Sequence, residues 1–146
     1  MVRAVFGGLS DIGYRWYQAN SVTPDYPFGS GLSYSSYRWT NVRISHTTQG
    51  VRVALDVANT GRRSGADVVQ VYVTYPSAAG EPPEQLRGFD KVQLAAGATR
   101  HVVIDLPRSS FTYAGSHAML VAAGNYTVSV GTSSANFVVS QSLQLK

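Results

Sequence analysis

The stretch that decides the fold is Val51-Arg52-Val53-Ala54-Leu55-Asp56-Val57-Ala58-Asn59-Thr60-Gly61. Val51, Val53, Leu55 and Val57 alternate with Arg52, Ala54, Asp56 and Ala58. That two-residue period marks a strand with one buried face. Asn59-Thr60-Gly61 then supplies turn residues. Downstream, Val69, Val71, Val73 and Tyr75 share one parity, with Gln70 and Thr74 on the other. Val102, Ile104 and Leu106 alternate with His101 and Asp105, and Tyr126, Val128 and Val130 with Thr127 and Ser129. Phe137, Val139, Leu143 and Leu145 close the series. Turn residues separate these runs at Asn59 to Gly65, Ser77 to Pro83, Ala95-Ala96-Gly97, Gly124-Asn125 and Gly131 to Ser134. The pattern predicts an all-β protein, an immunoglobulin/fibronectin III-like antiparallel β-sandwich of seven or eight strands over 37–146. Helices should be minor, because no segment sustains an apolar period of 3.6. Pro76, Pro82 and Pro83 keep Tyr75 to Gln85 out of a central strand, so it reads as an exposed crossing between sheets.

Upstream of residue 37 the alternation fails. Eight of the sixteen aromatics lie between Tyr14 and Trp39. Tyr14-Arg15-Trp16-Tyr17 reads as one short strand, and the rest of 1–36 as an extended arm. In Tyr26-Pro27-Phe28-Gly29-Ser30-Gly31-Leu32-Ser33-Tyr34, Pro27 fixes a torsion and the glycines permit turns. An aromatic arm without a sheet pattern of its own must bury itself on a neighbour or expose apolar area. The expected docking motif is Tyr14, Arg15, Trp16, Tyr17, Pro27, Phe28, Gly29, Gly31, Leu32 and Tyr34.

The 146 residues are 44% hydrophobic and 14% charged, which fits one globular domain with a real core. No apolar run reaches the length of a membrane span, and no signal peptide is evident in the first ten residues. The absence of cysteine excludes disulfides, thiolate metal sites and a cysteine nucleophile. The net charge is +4, with ten Arg against two Lys and no basic run longer than Arg62-Arg63. That spread points to a solvated face and not to nucleic acid.

The candidate chemistry is sparse. A glycosidase needs two carboxylates about 5 to 10 Å apart across the scissile bond. Glu81 and Glu84 are the only glutamates, and they share a proline-bearing loop with no evident apolar pocket. Asp56, Asp67 and Asp105 read as surface residues, and Ser10-Asp11 as a solvated loop. His46, His101 and His117 stand on separate segments without metal-ligand spacing, and His101 is expected on a strand's solvent face. Gly29-Ser30-Gly31 lacks the strand-to-helix setting of a serine nucleophile. Asn125-Tyr126-Thr127 is a formal glycosylation acceptor that reads more simply as a strand entry. No catalytic residue, metal site or cofactor is expected. Trp39 and Tyr72 are the candidates for a sugar-stacking platform, with packing against the arm as the competing reading.

Several ordered motifs together resemble a known family. Gly13-Tyr14-Arg15-Trp16-Tyr17 with Tyr26 to Tyr34 is similar to the junction that leads into the C-terminal fibronectin type III-like domain of family 3 glycoside hydrolases. Val57-Ala58-Asn59-Thr60-Gly61, Gly65 and Val68 to Val73 resemble that domain's second and third strands. Gln85 to Leu94 resembles the next strand, and Ala123 to Gly131 with Ser133-Ser134 the final hairpin region. The resemblance covers about residues 12–140. Tyr26, Ala96 and Met119 depart from the usual Phe, Pro and Trp. The resemblance implies an accessory domain that buttresses the catalytic domains of a β-glucosidase- or β-xylosidase-type enzyme. The family's catalytic Asp and Glu lie in domains with no counterpart in these residues. A module binding polysaccharide or lignin through exposed aromatics and Arg is the alternative, and self-association through the arm a further expectation.

Overall fold

The computed structural model describes residues 12–115 and 118–145. Seven long antiparallel strands form two sheets. One holds β1 (Tyr37–Thr47), β2 (Gly50–Asn59) and β5 (Thr99–Pro107), in the order β1-β2-β5. The other holds β3 (Gly65–Thr74), β4 (Gln85–Leu94), β8 (Asn125–Ser133) and β9 (Asn136–Gln144), in the order β4-β3-β8-β9. Two short strands, β6 (Tyr113–Ala114) and β7 (Met119–Leu120), pair with each other in the crossing from β5 to β8. This is a fibronectin III-like β-sandwich whose two sheets hold seven strands, within the expected seven or eight, with the short β6–β7 pair beside them.

The period-two pattern explains the core. Val51, Val53, Leu55 and Val57 on β2 face Val69, Val71 and Val73 on β3 across the sandwich, all fully buried. Each such side chain contributes about 1.5–3 kcal/mol on leaving water. Register follows from the same alternation, because a slip of one residue would turn every valine outward. One end is closed by aromatic rings. Phe111 and Tyr75 both pack edge-on against Tyr126. The two phenols are satisfied by backbone, Tyr75 donating to the Ser110 carbonyl at 2.8 Å and Tyr126 to that of Ala122 at 3.1 Å.

Two expectations are corrected. The segment 75–84 does not cross between sheets, since β3 and β4 pair antiparallel with Val73 opposite Gln85. Prolines bar the loop from a sheet's interior but carry no information about which sheet the chain rejoins. The chain changes sheet after Asn59, after Leu94 and after Pro107 instead. Tyr14-Arg15-Trp16-Tyr17 is not a strand either. It opens the helix α1 (Tyr14–Ala19). Gly13, at φ 65°, turns the chain so that its carbonyl accepts from the N–H groups of Trp16 and Tyr17. Asn20 closes the helix by donating from Nδ2 to the Trp16 carbonyl. Four consecutive amphipathic side chains carry no period to tell a strand from a turn of helix. The helix resolves the choice by placing Tyr14 and Gln18, four apart, on the sheet side.

Candidate docking surface

Strand β3 is buried on both faces. Its odd residues enter the core, while Gln70 and Tyr72 point away from it and are covered all the same. What covers them is the arm, residues 12–36. The Tyr14 ring stacks on Phe28, centroids 4.8 Å apart, and meets Tyr72 edge-on at 6.0 Å. Phe137 on β9 closes on Tyr72 from the other side at 5.5 Å. The arm thus sits on the outer face of the four-stranded sheet through an aromatic cluster.

Polar bonds fix its position. The Leu86 N–H donates to Tyr14 Oη at 2.8 Å, beside a bulge where Arg87 is skipped in the pairing of β3 with β4. Gln70 is the hub. Its Nε2 donates to the carbonyls of Gly29 (3.2 Å) and Thr132 (2.7 Å), and its Oε1 accepts from Tyr72 Oη at 2.6 Å. Gly29, at φ 81°, passes so close to Gln70 that a β-carbon there would collide with the amide. Next to it, the Ser134 N–H donates to the Phe28 carbonyl at 2.9 Å. Gln18 reaches from α1 to Glu84 Oε2 (2.7 Å) and to the Ser134 carbonyl (3.2 Å). The far end of the arm is latched by Ser35, which donates to Asn59 Oδ1 at 2.6 Å, while buried Asn59 donates to the carbonyls of Arg63 and Leu94. Burial pushes the Tyr72 phenol up, so it stays neutral. Burial also raises the Glu84 carboxyl, opposed by its bond to Gln18.

The other side of the arm is bare. Leu32 is fully exposed, Tyr34 and Tyr26 are 95% and 89% exposed, and Ile12, Trp16, Tyr17 and Val22 show much of their surface. Of the expected motif, Tyr14 packs inward with half-buried Pro27 and the Gly29 backbone, while Phe28 stacks one face on Tyr14 and leaves 47% of its surface exposed. Arg15 lies 5.9 Å over the Tyr14 ring. Trp16, Tyr17, Leu32 and Tyr34 face out, and Gly31 lies in the exposed turn between. An arm pinned on one side with an aromatic-aliphatic ridge on the other is suited to contact a second surface.

Other sequence candidates are placed differently. Tyr72 is covered by the arm and is not a sugar platform. Its parity does turn it out of the core, but parity does not report what lies on top. Trp39 is half-buried against the core, with Nε1 donating to Asp67 Oδ2 at 2.7 Å. Asp67 is accordingly partly buried, held as the acceptor of that indole. Glu84 is partly buried against Gln18, while Glu81 accepts from Gln85 Nε2. The two glutamates hold separate partners. On the outer face of the three-stranded sheet, Asp56 accepts from Asn41 Nδ2 (2.7 Å) and lies 2.6 Å from His101 Nδ1. These bonds, Asn41 first, lower the Asp56 carboxyl. Asp105 is lowered by Arg52, at 2.7 Å. No group of three metal-ligating side chains occurs among the described residues. Ser10-Asp11 and His117 lie outside them.

A family model described as "Fibronectin type III-like domain" matches residues 67–134. The chain carries a fibronectin type III-like domain, and the proteins it is similar to are beta-glucosidases. It is 38% identical to probable beta-glucosidase D of Aspergillus niger, over 83% of this chain and 19% of the relative. It is 34% identical to probable beta-glucosidase G of Aspergillus flavus, over 90% and 19%. Among solved structures, the Bifidobacterium adolescentis GH3 beta-glucosidase superimposes with a TM-score of 0.87 at 37% identity, over 92% of this chain and 21% of that one. The beta-D-glucoside glucohydrolase of Trichoderma reesei gives 0.85 at 30%, over 100% and 24%. The chain therefore spans about a fifth of the length of the curated relatives it matches. The family model accounts for residues 67–134, and the relatives align over most of this chain but about a fifth of their own length.

The residues that sequence reasoning missed are Gln18, Gln70, Glu84 and the Ser35–Asn59 latch. One signal was present. Gln70 and Tyr72 alternate on the outer face of the most hydrophobic strand, where a solvated face would carry charges.

Proposed function

We propose that this fibronectin-like domain buttresses the catalytic part of a β-glucosidase-like enzyme, with residues 1–36 as the joint and 37–146 as the support. The observation that carries this reading is the two-sided arm. Its inner side is fixed by Gln70, Leu86 and Ser134, and its outer side leaves Trp16, Tyr17, Tyr26, Leu32 and Tyr34 exposed. A ridge held rigid before contact loses little conformational entropy on docking. Carbohydrate chemistry then belongs to the partner and rigidity to this domain.

The reading is tested by grafting. The domain replaces its counterpart in the Bifidobacterium adolescentis beta-glucosidase, and Leu32→Asp with Tyr34→Asp is made in the graft. The unaltered graft should keep the enzyme's thermal midpoint and its aryl β-glucoside turnover. The double variant should lower both, while the isolated domain with the same changes unfolds at an unchanged midpoint. Equal midpoints for the two grafts would overturn the buttressing role. Turnover by the isolated chain that survives repurification would overturn its accessory status.

A further inference from the structure

Glu84 stands at the entry to β4 beneath α1, and among the described residues its side-chain partner is Gln18 Nε2 at 2.7 Å. The same amide nitrogen gives its second hydrogen to the Ser134 carbonyl. Gln18 Oε1, on the other side of that amide, is buried with no donor among the described residues. A buried acceptor left without a donor costs free energy, and an ionised carboxylate offers no hydrogen to relieve it. A neutral carboxylic acid does. It accepts from the amide N–H through one oxygen and donates its O–H to the amide oxygen.

We propose that protonation of Glu84 clamps the arm onto the sheet, turning the single Gln18–Glu84 hydrogen bond into a reciprocal acid–amide pair that joins α1, β4 and the β8–β9 turn. Among the described residues, no neighbouring group supplies the missing charge balance. From α1, Arg15 is stacked over Tyr14. From β4, Arg87 donates to Gln85 Oε1 and lies over the Tyr75 ring. Neither cation pairs with Glu84. From the preceding loop comes Glu81, bound to Gln85. From β3 comes Tyr72, whose hydroxyl is given to Gln70. From the β8–β9 turn comes the Ser134 carbonyl. Tyr14 gives the site its hydroxyl, which accepts from the Leu86 N–H.

Burial acts in the same direction, holding the docked carboxyl above the usual glutamate value of 4.5. With the arm released, Glu84 returns to that value. Between the two values the docked state holds more protons than the released one. Docking therefore strengthens as pH falls through the docked value and is fully strengthened below 4.5, and it weakens as pH rises. Each unit of difference is worth a factor of about ten in the docking equilibrium.

The inference concerns this chain alone and stands apart from the buttressing role. Native-state hydrogen exchange of the intact chain reads it through two amides that the arm protects, Leu86 N–H and Ser134 N–H. After correction for intrinsic exchange, protection at both should rise at least several-fold from pH 7.5 to pH 4.5, with the core amides of β2 unchanged. Glu84→Gln imitates the neutral acid, with an N–H for Gln18 Oε1. It should hold high protection at both pH values. A second readout needs no variant. The Gln18 side-chain amide resonances should titrate with the Glu84 carboxyl carbon, at one midpoint above 4.5. Equal protection at the two pH values, pH dependence that persists in Glu84→Gln, or a Gln18 amide that ignores the Glu84 midpoint would each overturn the proposal.

Discussion

The sandwich and its arm solve the same burial problem by different means. In the sandwich, apolar side chains from two sheets meet across a shared interior, and each valine of β2 is covered from every side. In the arm, one face is held by single hydrogen bonds to Gln70, Leu86, Ser134 and Asn59, with two stacked rings as its apolar content. Loss of one core contact is felt by the whole domain. Loss of one arm contact is felt by the arm, because local opening needs only the contacts that segment makes. A surface meant to engage a partner is drawn from the second kind.

The largest expected effect lies in the core. Leu55→Ala should cost about 2–5 kcal/mol of global stability, read from the urea midpoint, since Leu55 is fully enclosed. Arm and core probes should move together in this variant. If the arm loosens while the core midpoint holds, the two regions are coupled in a way the contacts do not indicate.

Next comes Gly29→Ala. The left-handed backbone costs about 1–2 kcal/mol for a residue with a β-carbon, and the new methyl also displaces the Gln70 amide. Proteolytic cutting within 12–36 should accelerate about tenfold while the core's unfolding midpoint stays in place. Tyr14→Phe is milder. It keeps the stack on Phe28 but leaves the Leu86 N–H without its acceptor, for about 1 kcal/mol of arm docking. Exchange at that amide should accelerate in proportion, and exchange across β2 should not.

The smallest effect is at the solvent face of the three-stranded sheet. Arg52→Ala removes the exposed pair with Asp105 and should leave the midpoint at pH 7 unresolved from the parent. Its signature is in acid. Asp105 and Asp56 are lowered by their partners, so their contribution is present above the usual aspartate value of 3.8 and lost as pH falls through their folded values. Glu84 has the opposite sign. Mild acid tightens the arm before stronger acid weakens the sheet, and an acid titration that shows both regions loosening in step would erase the distinction.

The same contrast explains what could be read from the residues in advance. The strands are written as alternation, and Val51 to Val57 or Tyr126 to Val130 admit one reading because a slip of register exposes every apolar side chain. Arm placement is not written that way. Tyr72 looks solvent-facing by parity, and only the return of residues 12–36 over the sheet buries it. Tyr14 to Tyr17 became helical because Gly13 and Asn20 cap a single turn, a choice that four amphipathic residues leave open. Trp39 and Asp67, 28 positions apart, meet only once β1 and β3 are folded together. The motif Tyr26 to Tyr34 was legible as an anchored loop, since Pro27 and Gly29 constrain it locally. Which of its side chains point in and which point out depended on Gln70, a residue 41 positions away from Gly29.

The central claim is that the outer ridge of the arm is reserved for the catalytic part of the enzyme. Hydroxyl-radical footprinting tests it most directly, comparing the isolated domain with the domain grafted onto the Bifidobacterium adolescentis beta-glucosidase. Tyr26, Leu32 and Tyr34 should be oxidised readily in the isolated domain and at least several-fold less in the graft, while Met119 and Leu120, exposed on β7, react equally in both. Equal oxidation of the ridge in the two forms would contradict the claim.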